Sequence, residues 1–93
     1  METPSGKNTS GKGTKRRKDE EGWKLVGERI RKIRKENKMS QEDLADAARL
    51  GLSQIGRMER GVINATLSSV FAVSRALQIE VSELFTFTLD KED

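Results

Sequence analysis

The sequence predicts a compact all-α domain of five short helices. Apolar residues recur every three or four positions along 23–37 and 67–77, which is the spacing of one helical face. With 33% hydrophobic and 35% charged residues among 93, the chain suffices for one small core. It has no cysteine and no histidine, which excludes a disulfide framework and the commonest general base and metal ligand. We therefore expect no catalytic site, no metal and no cofactor.

Residues 1–22 differ in composition from the rest of the chain. They include the only proline and no Leu, Ile, Val or Phe, so they cannot bury enough apolar surface to offset their ordering entropy. We expect a disordered arm. Its basic cluster at 15–18 is followed at once by acidic residues 19–21, and is either a contact for nucleic-acid phosphates or a solvated leader.

The first helix is expected from about Trp23 to Asn37. Its apolar face carries Trp23, Val26, Ile30 and Ile33, and basic residues occupy much of the remaining surface.

Two shorter helices follow between Met39 and Gly61. Ser40 and Asp43 have the capping-box spacing at the start of a helix that should end near Ala48. After a break at 49–51, Ile55 and Met58 are the inward residues of the next helix. Two short helices across a tight connection are typical of a helix-turn-helix, whose second helix lies in a DNA major groove.

The fourth helix should begin after Thr66, and a short fifth helix is expected at 81–85. The predicted core residues of the fourth helix are Leu67, Val70, Phe71, Ser74 and Leu77. The tail after it alternates apolar and polar residues, a strand pattern. Either two copies pair through Phe85, Phe87 and Leu89 to form a dimer, or the tail lies extended over its own core. The expected division is therefore an arm at 1–22, a domain at 23–85 and a tail at 86–93.

Four stretches of this chain resemble the Cro/phage-repressor type of helix-turn-helix protein, the XRE family. They are GERIRKIR at 27–34, MSQEDLADAA at 39–48, IGRMERG at 55–61 and TLSSVFAVSRALQIEVSELF at 66–85. The resemblance covers nearly the whole predicted domain and implies a lambda-repressor-like DNA-binding fold. The chain departs from the family pattern at Arg49, where the family usually has Gly, at Gly51, and at Asn64–Ala65 in place of Asn-Pro.

The outward face of the third helix is the candidate for reading DNA sequence. The predicted base-contacting residues are Leu52, Ser53, Gln54 and Arg57. Arg57 is the strongest candidate for specificity, because a guanidinium can bond guanine O6 and N7 together. Gly56 is expected on the same face.

The resemblance implies two further sets of residues. The expected phosphate contacts are Gln41, Arg60, Asn64 and Thr66. In relatives, an Arg matching Arg34 pairs inside the domain with a Glu matching Glu59, so we expect a structural ion pair here.

The predicted function is a cytoplasmic transcriptional regulator that binds double-stranded DNA as a homodimer at a palindromic operator. There is no apolar run of membrane-spanning length. Two alternatives stay open: an antitoxin that binds a protein toxin, and a co-activator-like module that bridges to the transcription machinery.

Overall fold

Four α-helices and one 3-10 helix make up this computed structural model, which describes residues 20–62 and 65–89. The helices are α1 (Glu20–Glu36), α2 (Gln41–Ala48), α3 (Leu52–Arg60) and α4 (Leu67–Leu77), and the 3-10 helix is Val81–Phe85. The predictions for residues 1–19, for Asn64 and for residues 90–93 lie outside the described residues. No helix in the described ranges is long and apolar enough to cross a bilayer.

The core lies where all five elements meet. The helix α1 packs against α3 and the 3-10 helix, while α2 packs against α3 and α4. The largest fully buried side chains come from all five elements: Ile30, Leu44, Ile55, Val70, Val73, Leu77 and Leu84. The predicted inward faces of the first and third helices are therefore confirmed.

Of the five predicted helices, the fifth is not an α-helix. Residues 81–85 form a 3-10 helix, and the N–H of Glu83 donates to the carbonyl of Glu80 at 2.9 Å, three residues back. Five residues are too few to build a ladder of α-helical hydrogen bonds, and the tighter turn still places Leu84 fully in the core. The first helix also already includes Glu20 and Glu21, before the expected start at Trp23, and acidic residues are favourable in the first turn of a helix.

Two residues of α4 that were expected in the core are exposed. Leu67 is 66% exposed and Phe71 is 42% exposed, whereas Val73 is fully buried. Val70, Ser74 and Leu77 are buried as predicted, and Ser69 and Val73 are buried in place of Leu67 and Phe71. The sequence spacing fits both sets of residues, so only the packing of α4 against its neighbours distinguishes them.

The tail 86–89 forms no strand within this chain. Phe87 is half-buried against the core, and a Cβ at Gly22 would lie 3.9 Å from Cδ2 of Leu89. The tail thus lies along the start of α1, as in the second of the two predicted arrangements. Pairing between copies stays a prediction.

A close backbone crossing joins α1 to the C-terminal end of α3. A Cβ at Gly27 would meet the carbonyl oxygens of Met58 and Glu59, and one at Gly61 would lie 2.6 Å from Cα of Lys24. Gly61 also adopts φ 71°, a left-handed conformation that ends α3. Only glycine fits at these two positions, so the crossing depends on both.

The turn between α2 and α3 keeps the geometry of a glycine turn without the glycine. Arg49 adopts φ 61° and ψ 41°, and its N–H donates to the carbonyls of Ala45 and Asp46 at the end of α2. This left-handed conformation is unfavourable for a residue with a Cβ, by about 1–2 kcal/mol.

We therefore expect Arg49→Gly to raise the free energy of unfolding by about 0.5–1 kcal/mol, because relief of strain outweighs the added flexibility of the unfolded chain. Urea unfolding measures this change. The matched control is Ala47→Gly, two residues earlier on the exposed side of α2, which should lower the free energy of unfolding by about 1 kcal/mol. Equal losses in the two variants would contradict a strained turn.

Candidate nucleic-acid interface

A reciprocal pair of hydrogen bonds starts α2. The Ser40 hydroxyl accepts the N–H of Asp43 at 2.9 Å, and a carboxylate oxygen of Asp43 accepts the N–H of Ser40 at 2.9 Å. This is the predicted capping box, and it is confirmed. The bond from the Ser40 backbone, followed by that from its side chain, holds the pKa of Asp43 below its usual value.

A buried ion pair connects α1 to α3. Nε of Arg34 donates to Oε2 of Glu59 at 2.6 Å and Nη2 donates to Oε1 at 3.0 Å, with the two side chains 9% and 3% exposed. The hydrogen bonds to Glu59 raise the pKa of Arg34, so the guanidinium keeps its charge. The pair has the geometry that the family resemblance implies.

Two more hydrogen bonds extend this pair into a network. Nη1 of Arg34 donates to the Met39 carbonyl at 2.9 Å, just before α2 begins. Nε2 of Gln41 donates to Oε1 of Glu59 at 2.9 Å. Because a side-chain amide carries two N–H groups, Gln41 has a second N–H that its bond to Glu59 does not use. The network therefore fixes α3 against both α1 and α2.

The outward surface of α3 brings most of the predicted base-contacting residues together. Leu52, Ser53 and Arg57 are exposed, and Gln54 is half-buried. Gly51 provides no side-chain cap, so the first N–H groups of α3 have no side-chain partner at that position. The surface thus presents hydrogen-bond donors, a hydroxyl, an amide and one apolar side chain.

We expected Gly56 on this outward surface. It is instead buried beneath two side chains. A Cβ there would lie 3.4 Å from Nη1 of Arg60 and 4.0 Å from Oε1 of Gln41. Arg60 therefore extends back across Gly56 toward the start of α2. Sequence reasoning missed this convergence, although the four-residue spacing from Gly56 to Arg60 was a signal for it.

The remaining predicted phosphate contacts lie at or before the start of α4. The Thr66 hydroxyl accepts the N–H of Ser69 at 3.1 Å and caps α4, leaving its own O–H free to donate. Asn64 lies outside the described residues. Gln41, Arg60 and Thr66 thus present donors from three separate helix ends, which is how side chains follow a nucleic-acid backbone.

The dimerisation residues predicted in the tail line an apolar groove between the tail and the start of α1. Phe85, Phe87 and Leu89 face Trp23 and Val26 of α1 across a cavity of about 670 Å³. Phe85 and Leu89 are 45% and 48% exposed, so they leave apolar surface in contact with solvent.

The chain belongs to the helix-turn-helix family HTH_3, which matches residues 30–84. It is 45% identical over 69 residues to the immunity repressor protein of Bacillus phage phi105, covering 73% of this chain and 48% of the repressor. The chain therefore spans about half the length of that relative. It is also 37% identical over 62 residues to control protein C.SmaI of Serratia marcescens, covering 67% and 74% of the two chains.

The fold is similarly shared with solved regulators. The restriction-modification controller protein C.AhdI of Aeromonas hydrophila is 38% identical with a TM-score of 0.67, covering 68% of this chain and 96% of that protein. The XRE-type assignment is thus confirmed, and the chain carries a helix-turn-helix domain of this family.

We expect Arg34→Ala to lower the free energy of unfolding by about 3–5 kcal/mol, because it leaves the Glu59 carboxylate buried without its partner. The double variant Arg34→Ala, Glu59→Ala should lose much less than the sum of the two single variants. Thermal or urea unfolding of the four proteins gives the coupling free energy.

The matched control is Lys32→Ala, also on α1. Lys32 contacts Glu36 at 4.0 Å with both side chains more than 60% exposed, so its loss should cost less than 0.5 kcal/mol. Losses of similar size for Arg34 and Lys32 would show that the buried pair does not hold the helices together.

Proposed function

We propose that this protein regulates transcription in the cytoplasm by binding a palindromic operator in double-stranded DNA as a homodimer. The observation that carries the proposal is the exposed face of α3, which the network of Arg34, Glu59 and Gln41 holds rigidly beside the start of α2. A helix held in this way enters the major groove with its side chains already oriented.

The chemistry of this face suits the reading of base edges. Arg57 donates two parallel hydrogen bonds to guanine, and Ser53 bonds either a base edge or a phosphate. Leu52 offers only apolar contact, which fits the methyl group of thymine. Gln54 pairs with adenine where it turns inward and with a phosphate where it does not.

Affinity comes mainly from the DNA backbone. Arg60, Gln41 and Thr66 present donors to phosphates, and we assign Asn64 the same role from the family resemblance. Because each phosphate contact releases condensed cations, binding weakens steeply as salt rises. Relatives named as an immunity repressor and as restriction-modification control proteins support a regulator of this kind.

The dimer contact is proposed at the apolar groove between α1 and the tail. A palindromic operator requires two copies related by a twofold axis, and each copy must present the same surface to the other. The groove has exposed apolar rims at Phe85 and Leu89, with Phe87 between them. Contact between two such surfaces removes this apolar area from water.

Selection from a random duplex library at moderate salt should enrich a palindrome with half-sites about one helical turn apart. On that site, Arg57→Ala should weaken binding by about 1–3 kcal/mol and relax the preference at one base pair. Arg60→Ala should instead weaken binding to all duplexes alike. It should also reduce the slope of log K against log salt concentration by about 1.

Arg31→Ala, an exposed arginine of α1, controls for the loss of one positive charge. If Arg57→Ala matched this control on the selected site, the base-reading role would be wrong. If no site were enriched by the folded protein, the antitoxin or bridging alternatives would replace this proposal.

The double variant Phe85→Ser, Leu89→Ser should be monomeric in sedimentation equilibrium at concentrations where the original protein is dimeric. It should also bind a single half-site as well as the original protein does, because α3 is unchanged. The control Val62→Ser removes another exposed apolar side chain and should remain dimeric. A dimer that persists in the double variant would place the contact elsewhere.

A further inference from the structure

A second groove lies between the C-terminal ends of α2 and α4, and the proposed DNA-binding function does not use it. Three residues of α2 and its turn line one wall, and three residues of α4 line the other. They are Ala47, Ala48, Arg49, Ala72, Arg75 and Ala76, and they enclose a volume of about 330 Å³.

The groove combines two cations with a floor of four small apolar residues. Arg49 and Arg75 are both exposed, and neither side chain forms a hydrogen bond or ion pair with any described residue. No acidic residue lines the groove, and Asp46, which lies two residues before the end of α2, is exposed and is not among the lining residues. The positive charge is therefore not neutralised within the described part of the chain.

Helix dipoles alone do not account for this arrangement. A cation in the last turn of a helix is stabilised by the negative end of the dipole, which applies to Arg75. Arg49 lies beyond α2 in a left-handed conformation that glycine adopts at lower cost. Lys38 and Gln78 share this conformation, so what distinguishes Arg49 is that its side chain lines the same groove as a second arginine.

The groove is remote from the proposed phosphate contacts. Gln41 begins α2 and Thr66 caps α4, whereas the groove is lined by the end of α2, by Arg49 and by residues 72–76 of α4. At 1.5 Å per residue, the two ends of α2 are about 10 Å apart. A short segment bound in the groove would therefore leave Gln41, at the other end of α2, open to DNA.

We propose that this groove docks an acidic segment of a partner protein, with carboxylates paired to Arg49 and Arg75. Guanidinium groups match carboxylates in bidentate geometry, and the alanine floor admits the backbone or small side chains of the segment at close range. The protein would hold DNA and its partner at the same time.

Selection of displayed random 12-residue peptides on the full chain tests the proposal. The enriched peptides should carry at least two acidic residues, and a synthetic copy of one should bind in fluorescence anisotropy more weakly as salt rises. Arg75→Glu should weaken this binding at least tenfold, and replacing the acidic residues of the peptide by Lys should restore it on that variant.

Two other variants separate docking from folding and from charge. Arg49→Gly should weaken peptide binding severalfold although it is expected to be more stable than the original protein. Arg31→Glu makes the same charge change as Arg75→Glu on an exposed part of α1 and should leave peptide binding within twofold. Operator binding should be unaffected by peptide.

Three results would overturn the proposal. The first is enrichment of no peptide or of peptides without acidic residues. The second is equal weakening by Arg75→Glu and Arg31→Glu. The third is competition between the peptide and an operator duplex, which would place the peptide on the cationic face of α3. Each leaves the proposed DNA-binding function standing, because that function is measured on DNA without peptide.

Discussion

The ion pair between Arg34 and Glu59 is the constraint on which the rest of the structure depends. It joins α1 to α3 in the interior, and its two flanking bonds, to the Met39 carbonyl and from Gln41, fix the beginning of α2 as well. Burying two charges costs solvation energy, which their attraction and hydrogen bonds largely offset. The pair therefore determines the arrangement of the helices more than it adds to the free energy of unfolding. A leucine pair could fill the same space but would not fix the rotation of α3 about its axis.

The same pair explains how an eight-residue and a nine-residue helix hold a defined orientation. Isolated helices of this length are marginal in water, and tertiary contacts must supply their order. The capping box of Ser40 and Asp43 starts α2 locally. The buried carboxylate of Glu59 then accepts hydrogen bonds from Arg34 of α1 and Gln41 of α2. The inward side of α3 therefore determines its orientation, and its outward side chains need not contribute to it.

Local signals in the sequence predicted most of this structure. The errors arose where packing between helices determines which residues are buried. Ser40, Asp43, Thr66 and Gly61 marked helix ends correctly, because caps depend on neighbouring residues. Leu67 and Phe71 were assigned to the core because their spacing fits a helical face, yet a neighbouring stripe fits equally well. Gly56 was assigned to the outer face because the four-residue spacing to Arg60 shows that the two residues are neighbours but not that Arg60 covers Gly56. The pairing of Arg34 with Glu59, 25 residues apart, came from resemblance alone.

The backbone crossing at Gly27 and Gly61 has a consequence for how such a regulator changes its target. Main-chain atoms of α1 and α3 touch there without intervening side chains, so the distance between the helices cannot drift as other residues are exchanged. The crossing fixes the position of α3 and places no constraint on its outward side chains. Substitutions at Leu52, Ser53, Gln54 and Arg57 can therefore accumulate without moving the helix that carries them. Under the proposed function, a new operator preference is reachable through single steps, each of which leaves a folded protein.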